Sequence, residues 1–293
     1  MSPGLDVAAQ PPCRFDAGDV YALDVAAAPL GVVRVTADGQ SARFVDLPGA
    51  ATLTGIAFDT TGRFGNRLLV AGRRQDRTAI FSVDCQGRVA TLTDSAPPIA
   101  GAMAVAPELF GEHGGDLIGV DPDSGNVVFI RFDGTNGVLT ASGLPIGADV
   151  GVEAAGFIPP DYLQRGGVAY MVDRRVPGAS PEGTDSVWRL SEALLRAVNI
   201  DNNDLLLSTK AGGRTVVVRC RLTCRVLPLG QAPGAHVDGQ ITVVIGPPQV
   251  EPFHGTDLKG TLTFAITTGV LVAGGFVLFF VHRKRSPSAS PGA

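Results

Sequence analysis

AIFSVDCQGRVATL, residues 79–92, places two β-rich runs on either side of a Cys-Gln-Gly turn, the mark of a β-hairpin. The same layout occurs at 31–44 as GVVRVTADGQSARF and at 127–140 as VVFIRFDGTNGVLT. Each hairpin is followed by a segment that opens on glycine and small residues: GIAFDTTGRFGNRLLVAG at 55–72, GAMAVAPELFGEHGGDLIGVD at 101–121, and GVEAAGFIPPDYLQRGGVAYMVD at 151–173. The turn glycines Gly39, Gly87 and Gly134 lie 48 and 47 residues apart, and Gly55, Gly101 and Gly151 lie 46 and 50 apart.

Four strands in about 45 residues is the spacing of a propeller blade. A fourth, more divergent unit begins at DSVWRL (185–190), continues with DLLLSTKAG (204–212) and ends in VVVRCRLTCRVL (216–227). SEALLRAV (191–198) reads as an inserted helical turn with Ser191 as its cap. The early run DVYALDV (19–25) is expected to supply a closing strand. Small-residue strands suit the innermost position of a blade, where neighbouring blades crowd the axis. The expected fold is therefore an all-β, five- or six-bladed β-propeller over residues 19–245, after an N-terminal segment at 1–18. A pair of β-sandwiches would account for the strands but not for the recurrence near 48.

On these unit patterns, over about residues 30–225, the chain resembles the NHL and SMP-30/gluconolactonase-like propellers. The resemblance implies acidic side chains around a central channel that hold a divalent cation such as calcium. Glu153, which enters an inner strand, is the first candidate ligand, with Asp59 and Asp149 facing the same channel. Two further acidic stretches read as turns. DPDSGN (121–126) starts like a calcium loop but has Phe132 where the twelfth-position glutamate belongs. DNND (201–204) has the composition of a turn. His113, His236 and His254 sit in Gly- or Pro-rich loop segments, and no nucleophile elbow, P-loop or zinc-protease motif occurs.

The cysteines form an even set, Cys13, Cys85, Cys220 and Cys224, as expected of an oxidising exterior. Cys220 and Cys224 face each other across three residues at a hairpin mouth, which predicts a local disulfide and leaves Cys13 to pair with Cys85. VPGASPEGTD (176–185) reads as an exposed polar loop and a candidate contact surface.

Residues 260–281 contain no charged side chain, long enough as a helix to cross the roughly 30 Å hydrocarbon core. The basic flank His282, Arg283, Lys284 and Arg285 places the C-terminal side in the cytoplasm. A Pro/Gly-rich stalk at 246–259 joins the body to this single transmembrane helix, and 282–293 form a short disordered tail. The first residues have no basic, apolar leader, so an export signal is expected upstream of this start. All 28 acidic residues precede the apolar run, and no basic surface for nucleic acid is evident. Only three of the basic residues are lysine, a codon bias typical of GC-rich bacterial genomes. The expected role is a binding module for an envelope protein or a glycan. The alternative is a membrane-tethered, metal-dependent hydrolase or lactonase.

Overall fold

The computed structural model describes residues 14–246 apart from 102 and 148. The first sheet is an antiparallel meander of β1 (Val20–Asp24), β2 (Gly31–Val35) and β3 (Ser41–Asp46). The second consists of β4 (Thr52–Phe58), β5 (Leu68–Arg74), β6 (Arg77–Val83) and β7 (Val89–Ala96) in sequence order. The third repeats that order with β8 (Ala104–Val105), β9 (Leu117–Val120), β10 (Asn126–Ile130) and β11 (Asn136–Ala141). The three hairpins of the repeat thus become β2–β3, β6–β7 and β10–β11.

The fourth sheet has seven strands: β12 (Val152–Phe157), β13 (Gly167–Asp173), β14 (Ser186–Leu190), β15 (Leu205–Thr209), β16 (Thr215–Cys220), β17 (Cys224–Gly230) and β18 (Val237–Ile245). Their order is β14-β13-β18-β12-β15-β16-β17. It divides naturally at β12 and β18, which meet in parallel through only Ala154–Gly239 and Ala155–Gln240. This corrects the reading of the fourth unit. DSVWRL pairs with β13, whereas DLLLSTKAG forms β15 against β12. The chain leaves β12 through a short helix, α1 (Tyr162–Arg165), builds β13 and β14, and returns through α2 (Glu192–Ala197) before completing the β12 unit. Ser191 caps α2 as expected, its hydroxyl accepting from the Leu194 N–H at 3.2 Å. The closing-strand expectation for DVYALDV also needs correction: among the described residues its strand, β1, pairs with β2 alone.

Burial follows the repeat. The middle strands β5 and β6 are buried along almost their whole length, while the outer strands β3 and β7 are largely exposed and β11 is half-buried to exposed. Apolar cores fill the gaps between successive units rather than one common centre. Val32, Leu47, Leu68 and Phe81 join the first two sheets, and Leu69, Ile80, Met103 and Ile130 join the next two. Phe110, Ile118, Leu205 and Val218 pack the third sheet onto the β12 half of the fourth. Tyr162, Met171, Leu206 and Ile241 then pack that half onto β13–β14–β18.

The glycine-opened strands sit where units crowd together. A Cβ on Gly55 would lie 2.9 Å from the Gly101 carbonyl oxygen, and one on Gly101, whose φ is +71°, would lie 2.2 Å from that of Glu153. Three successive units therefore touch backbone to backbone at their inner strands, which no larger residue would allow.

Candidate functional site

Glu153 lies at the start of β12, in a register shift between Val152 and Ala154 against β15. Such a bulge takes one residue out of the ladder and re-aims its side chain. The re-aimed carboxylate reaches Lys210, just beyond the end of β15, at 3.8 Å. The Glu153 and Lys210 side chains are only 16 % and 21 % exposed. Lys210 is fixed by its backbone, since its N–H donates to Gly151 and its carbonyl accepts from Val237. One residue further, Asp238 on β18 pairs with Arg174, which follows β13, at 3.0 Å. The site is thus two ion pairs of alternating sign at the entrance ends of β12 and β18, next to the exit ends of β13 and β15.

Burial raises the Glu153 carboxyl above the usual carboxylate range; Lys210 opposes this, Asp238 adds to it, and Arg174 opposes it again. A raised acid favours the folded state only while protonated. Its contribution is full below the unfolded value of about 4.3 and is lost as pH rises through the folded value. Glu153→Gln is accordingly expected to flatten the stability profile above about pH 4, with the wild type losing ground to the variant as pH rises, measured as Tm against pH.

The polar loop beside this site is tightly pinned. Asp173, at the end of β13, is fully buried and organises it. Its carboxylate accepts from the Thr184 N–H at 3.0 Å, the Thr184 hydroxyl at 2.6 Å, the Trp188 indole at 3.2 Å and the His236 N–H at 2.7 Å. Within the loop Val176 donates to Glu182, Arg175 to the Asp185 carboxylate and Gly178 to the Glu182 carboxylate. Burial by itself would raise the Asp173 carboxyl, but the bonds from Thr184, His236 and Trp188 outweigh it and hold the group below its ordinary value. A depressed acid contributes stability above its unfolded value of about 3.9 and loses it as pH falls through the folded value. Asp173→Asn is expected to cost about 2 kcal/mol at neutral pH in chemical denaturation. The gap between wild type and variant should close in acid.

The other candidate ligands lie apart from this arrangement in their bonding. Asp59, just past β4, is buried, and its two oxygens accept from the N–H groups of Thr61, Gly62, Phe64 and Asn66 and from the Thr61 hydroxyl. It is the organiser of the β4–β5 loop. Asp149 is exposed in the turn before β12. Among the described residues, no three His, Cys, Asp or Glu side chains come together. DPDSGN forms a turn in which Asp121 accepts from the Asp123 N–H and the Ser124 hydroxyl. In DNND, Asp201 pairs with Arg221 and Asp204 with Arg219, both at 2.7 Å. A shallow cleft of about 380 Å³ lined by Thr61, Arg63 and Glu108 does not include Glu153.

Cys220 and Cys224 form the expected disulfide across directly paired strand ends. Cys13 lies outside the described residues, as do His254, the stalk from 247, the apolar run and the basic flank. Among the described residues no helix is long and apolar enough to cross a membrane. His113 and His236 are buried. His113 packs on Phe129 and bonds Asp116 at 3.0 Å, and His236 lies 3.2 Å from the Pro181 carbonyl. Lys210, Arg174, Asp238 and Asp173 belong to no motif. The available signal was Lys210 itself, one of three lysines in the chain, placed directly after an apolar strand.

No family model and no curated protein matches the chain. Among solved structures, a catalytically inactive virginiamycin B lyase from Staphylococcus aureus with quinupristin is 12 % identical at a TM-score of 0.36, covering 74 % of this chain and 71 % of that one. A streptogramin B lyase is 10 % identical at 0.34, with 73 % and 69 % covered. A protein of unknown function from Bacteroides caccae is 12 % identical at 0.32, with 73 % and 80 % covered. Similarities this low carry no inference about the fold or activity of the chain.

Proposed function

We propose that the chain is a single-pass, membrane-anchored extracytoplasmic propeller that binds an envelope protein or a glycan. Five blades account for the 18 strands of the described residues: three successive meanders, β12 with β15–β17, and β13–β14 with β18. The observation that carries the binding reading is the paired-charge site itself. Glu153–Lys210 and Arg174–Asp238 offer both signs at one end of the strands, beside a loop whose shape Asp173 fixes in advance. A preformed polar surface of this kind suits hydroxyl-rich or mixed-charge ligands, because binding exchanges existing pairs without ordering the loop.

The test is photo-crosslinking from position 178 in the native host, with the full chain in its membrane. Adducts with an envelope component, lost when Arg174→Glu reverses one charge, would support the reading. Unchanged adducts in that variant, or protection of the loop from externally added protease, would overturn it.

A metal-dependent hydrolase of the gluconolactonase type is the second reading, and the observation in its favour is the half-buried, raised carboxyl of Glu153. It requires a divalent cation at stoichiometric level in the purified chain, lost on Glu153→Gln.

A further inference from the structure

The end of the body opposite the paired charges carries a different kind of surface. β12 and β18 run parallel, so Phe157 and Ile245 end on the same side, together with the starts of β13 and β15. The described chain leaves there: Gly246 donates to the Gly166 carbonyl, and its own carbonyl accepts from Arg165. The disulfide-closed β16–β17 tip is on this side too, because Val218 pairs with Leu205. At that tip Leu222 is 99 % exposed.

Side-chain and backbone contacts carry this end across neighbouring units. The Asn202 side chain accepts from Leu163, and Asp201 binds Arg221 next to Leu222. A Cβ on Gly111 would stand 2.6 Å from the Arg221 carbonyl oxygen, which sets the Leu109 loop against the tip. Arg63, from the β4–β5 loop of the second unit, lies over the Phe132 ring of the third and against its Gly115. The α2 helix joins through Glu192, which approaches Gly166 and places Leu194 nearby. Leu109, Leu163, Leu194 and Leu222 are the exposed leucines among the described residues, Phe132 is the exposed phenylalanine, and all five sit at this end. Ile146 and Val150 are exposed at the opposite end and Trp188 on β14, but this end gathers five large apolar side chains on adjacent loops and short helices, and such a set marks a contact surface.

Resting on the anchored reading above, we propose that this end, led by Leu222, lies on the outer surface of the lipid bilayer that holds the chain's own apolar run. Residues 247–259 separate Gly246 from that run and span at most about 45 Å even fully extended. A body of this size has a half-perimeter of roughly 70 Å, so the tether cannot carry the membrane round to the opposite end. Leucine and phenylalanine side chains set among arginine–carboxylate pairs fit the headgroup boundary, where apolar groups sink about 5–10 Å while the charged groups stay hydrated. The same placement turns the Glu153–Lys210 site outward, away from the lipid.

The test uses the full chain reconstituted in vesicles of phosphatidylethanolamine and phosphatidylglycerol that contain nitroxide-labelled lipid. Two variants report position, Leu222→Trp at this end and Ile146→Trp in the exposed loop before β12, with Trp188 as their shared background. Expected is a loss of roughly half of the added emission in Leu222→Trp, as befits a headgroup-depth residue, and none in Ile146→Trp. Adding Leu109→Asp and Leu163→Asp should abolish the quenching in Leu222→Trp. Both side chains are already exposed, so the body should stay folded. Equal quenching at both positions, or none at either, in a chain that resists alkaline extraction overturns this proposal and leaves the anchored reading intact. A chain that alkaline washing removes from the vesicles overturns both.

Discussion

Gly156→Ala is expected to destabilise the protein by about 3 kcal/mol or more, with a fall in the midpoint of chemical denaturation. Gly156 lies in β12, where the strand meets β18, and a Cβ there would stand 1.9 Å from the Ile241 carbonyl oxygen and 2.8 Å from its carbon. Both atoms are backbone, so no rotamer change relieves the clash. Moving β12 aside would break its ladder with β15, where Gly156 pairs with Leu206. Moving β18 would break its ladder with β13, which runs from Gly167–Ile245 to Asp173–Val237. The contact joins the two halves of the seven-stranded sheet, so the damage should spread to the core around Ile158, Leu206 and Ile241. Gly230→Ala is the control. Gly230 ends β17, a Cβ there would meet no atom within 4 Å, and its substitution should stay within about 0.5 kcal/mol of wild type. Equal stability of the two variants would mean that β12 and β18 do not approach this closely.

Arg219→Met is expected to cost about 3–5 kcal/mol, because it strands a buried carboxylate. The Asp204 side chain is fully buried and receives two prongs of the Arg219 guanidinium, from Nε at 2.9 Å and Nη2 at 2.7 Å. The same Nη2 also reaches the Asn199 carbonyl, so the arginine ties β16 to the turn that follows α2. The Asp201 N–H, which donates to Asp204 at 2.8 Å, remains in the variant, but one neutral donor does not replace a guanidinium. Asp204→Asn combined with Arg219→Met should recover part of the loss, since the uncompensated charge is then gone. A double-mutant cycle read by denaturation measures that coupling, and additive effects would show that the pair contributes no energy of its own.

Much of the strand pattern was legible because a hairpin writes itself locally. DCQG and DGTNG turns between β-rich runs specify β6–β7 and β10–β11 with no knowledge of the rest of the chain. Cys220 and Cys224 were legible for the same reason, as strand ends three residues apart must face each other. The small residues of GIAF and GAMAV also announced crowding, which the Gly55–Gly101–Glu153 backbone contacts display.

The paired-charge site was not legible in that way. Glu153, Lys210, Arg174 and Asp238 come from four separate strands or strand ends, and no local spacing links position 153 to 210 or 174 to 238. The role of Asp59 was hidden too. An aspartate after an inner strand looks the same in sequence whether it awaits a cation or accepts the N–H groups of its own loop, and only the folded loop closes those bonds.

The all-β character, the repeating hairpins, the small inner residues and the local disulfide are written in the chain itself, because each depends on side-chain periodicity and turn chemistry over a few residues. Three further outcomes arise only on assembly: β13 and β14 leave the fourth unit to join β18, β12 and β18 meet in parallel, and five bulky apolar residues share the end where the chain departs. They depend on which non-local strands bury their faces together, and burial of that kind is a property of the packed sheets rather than of any one segment.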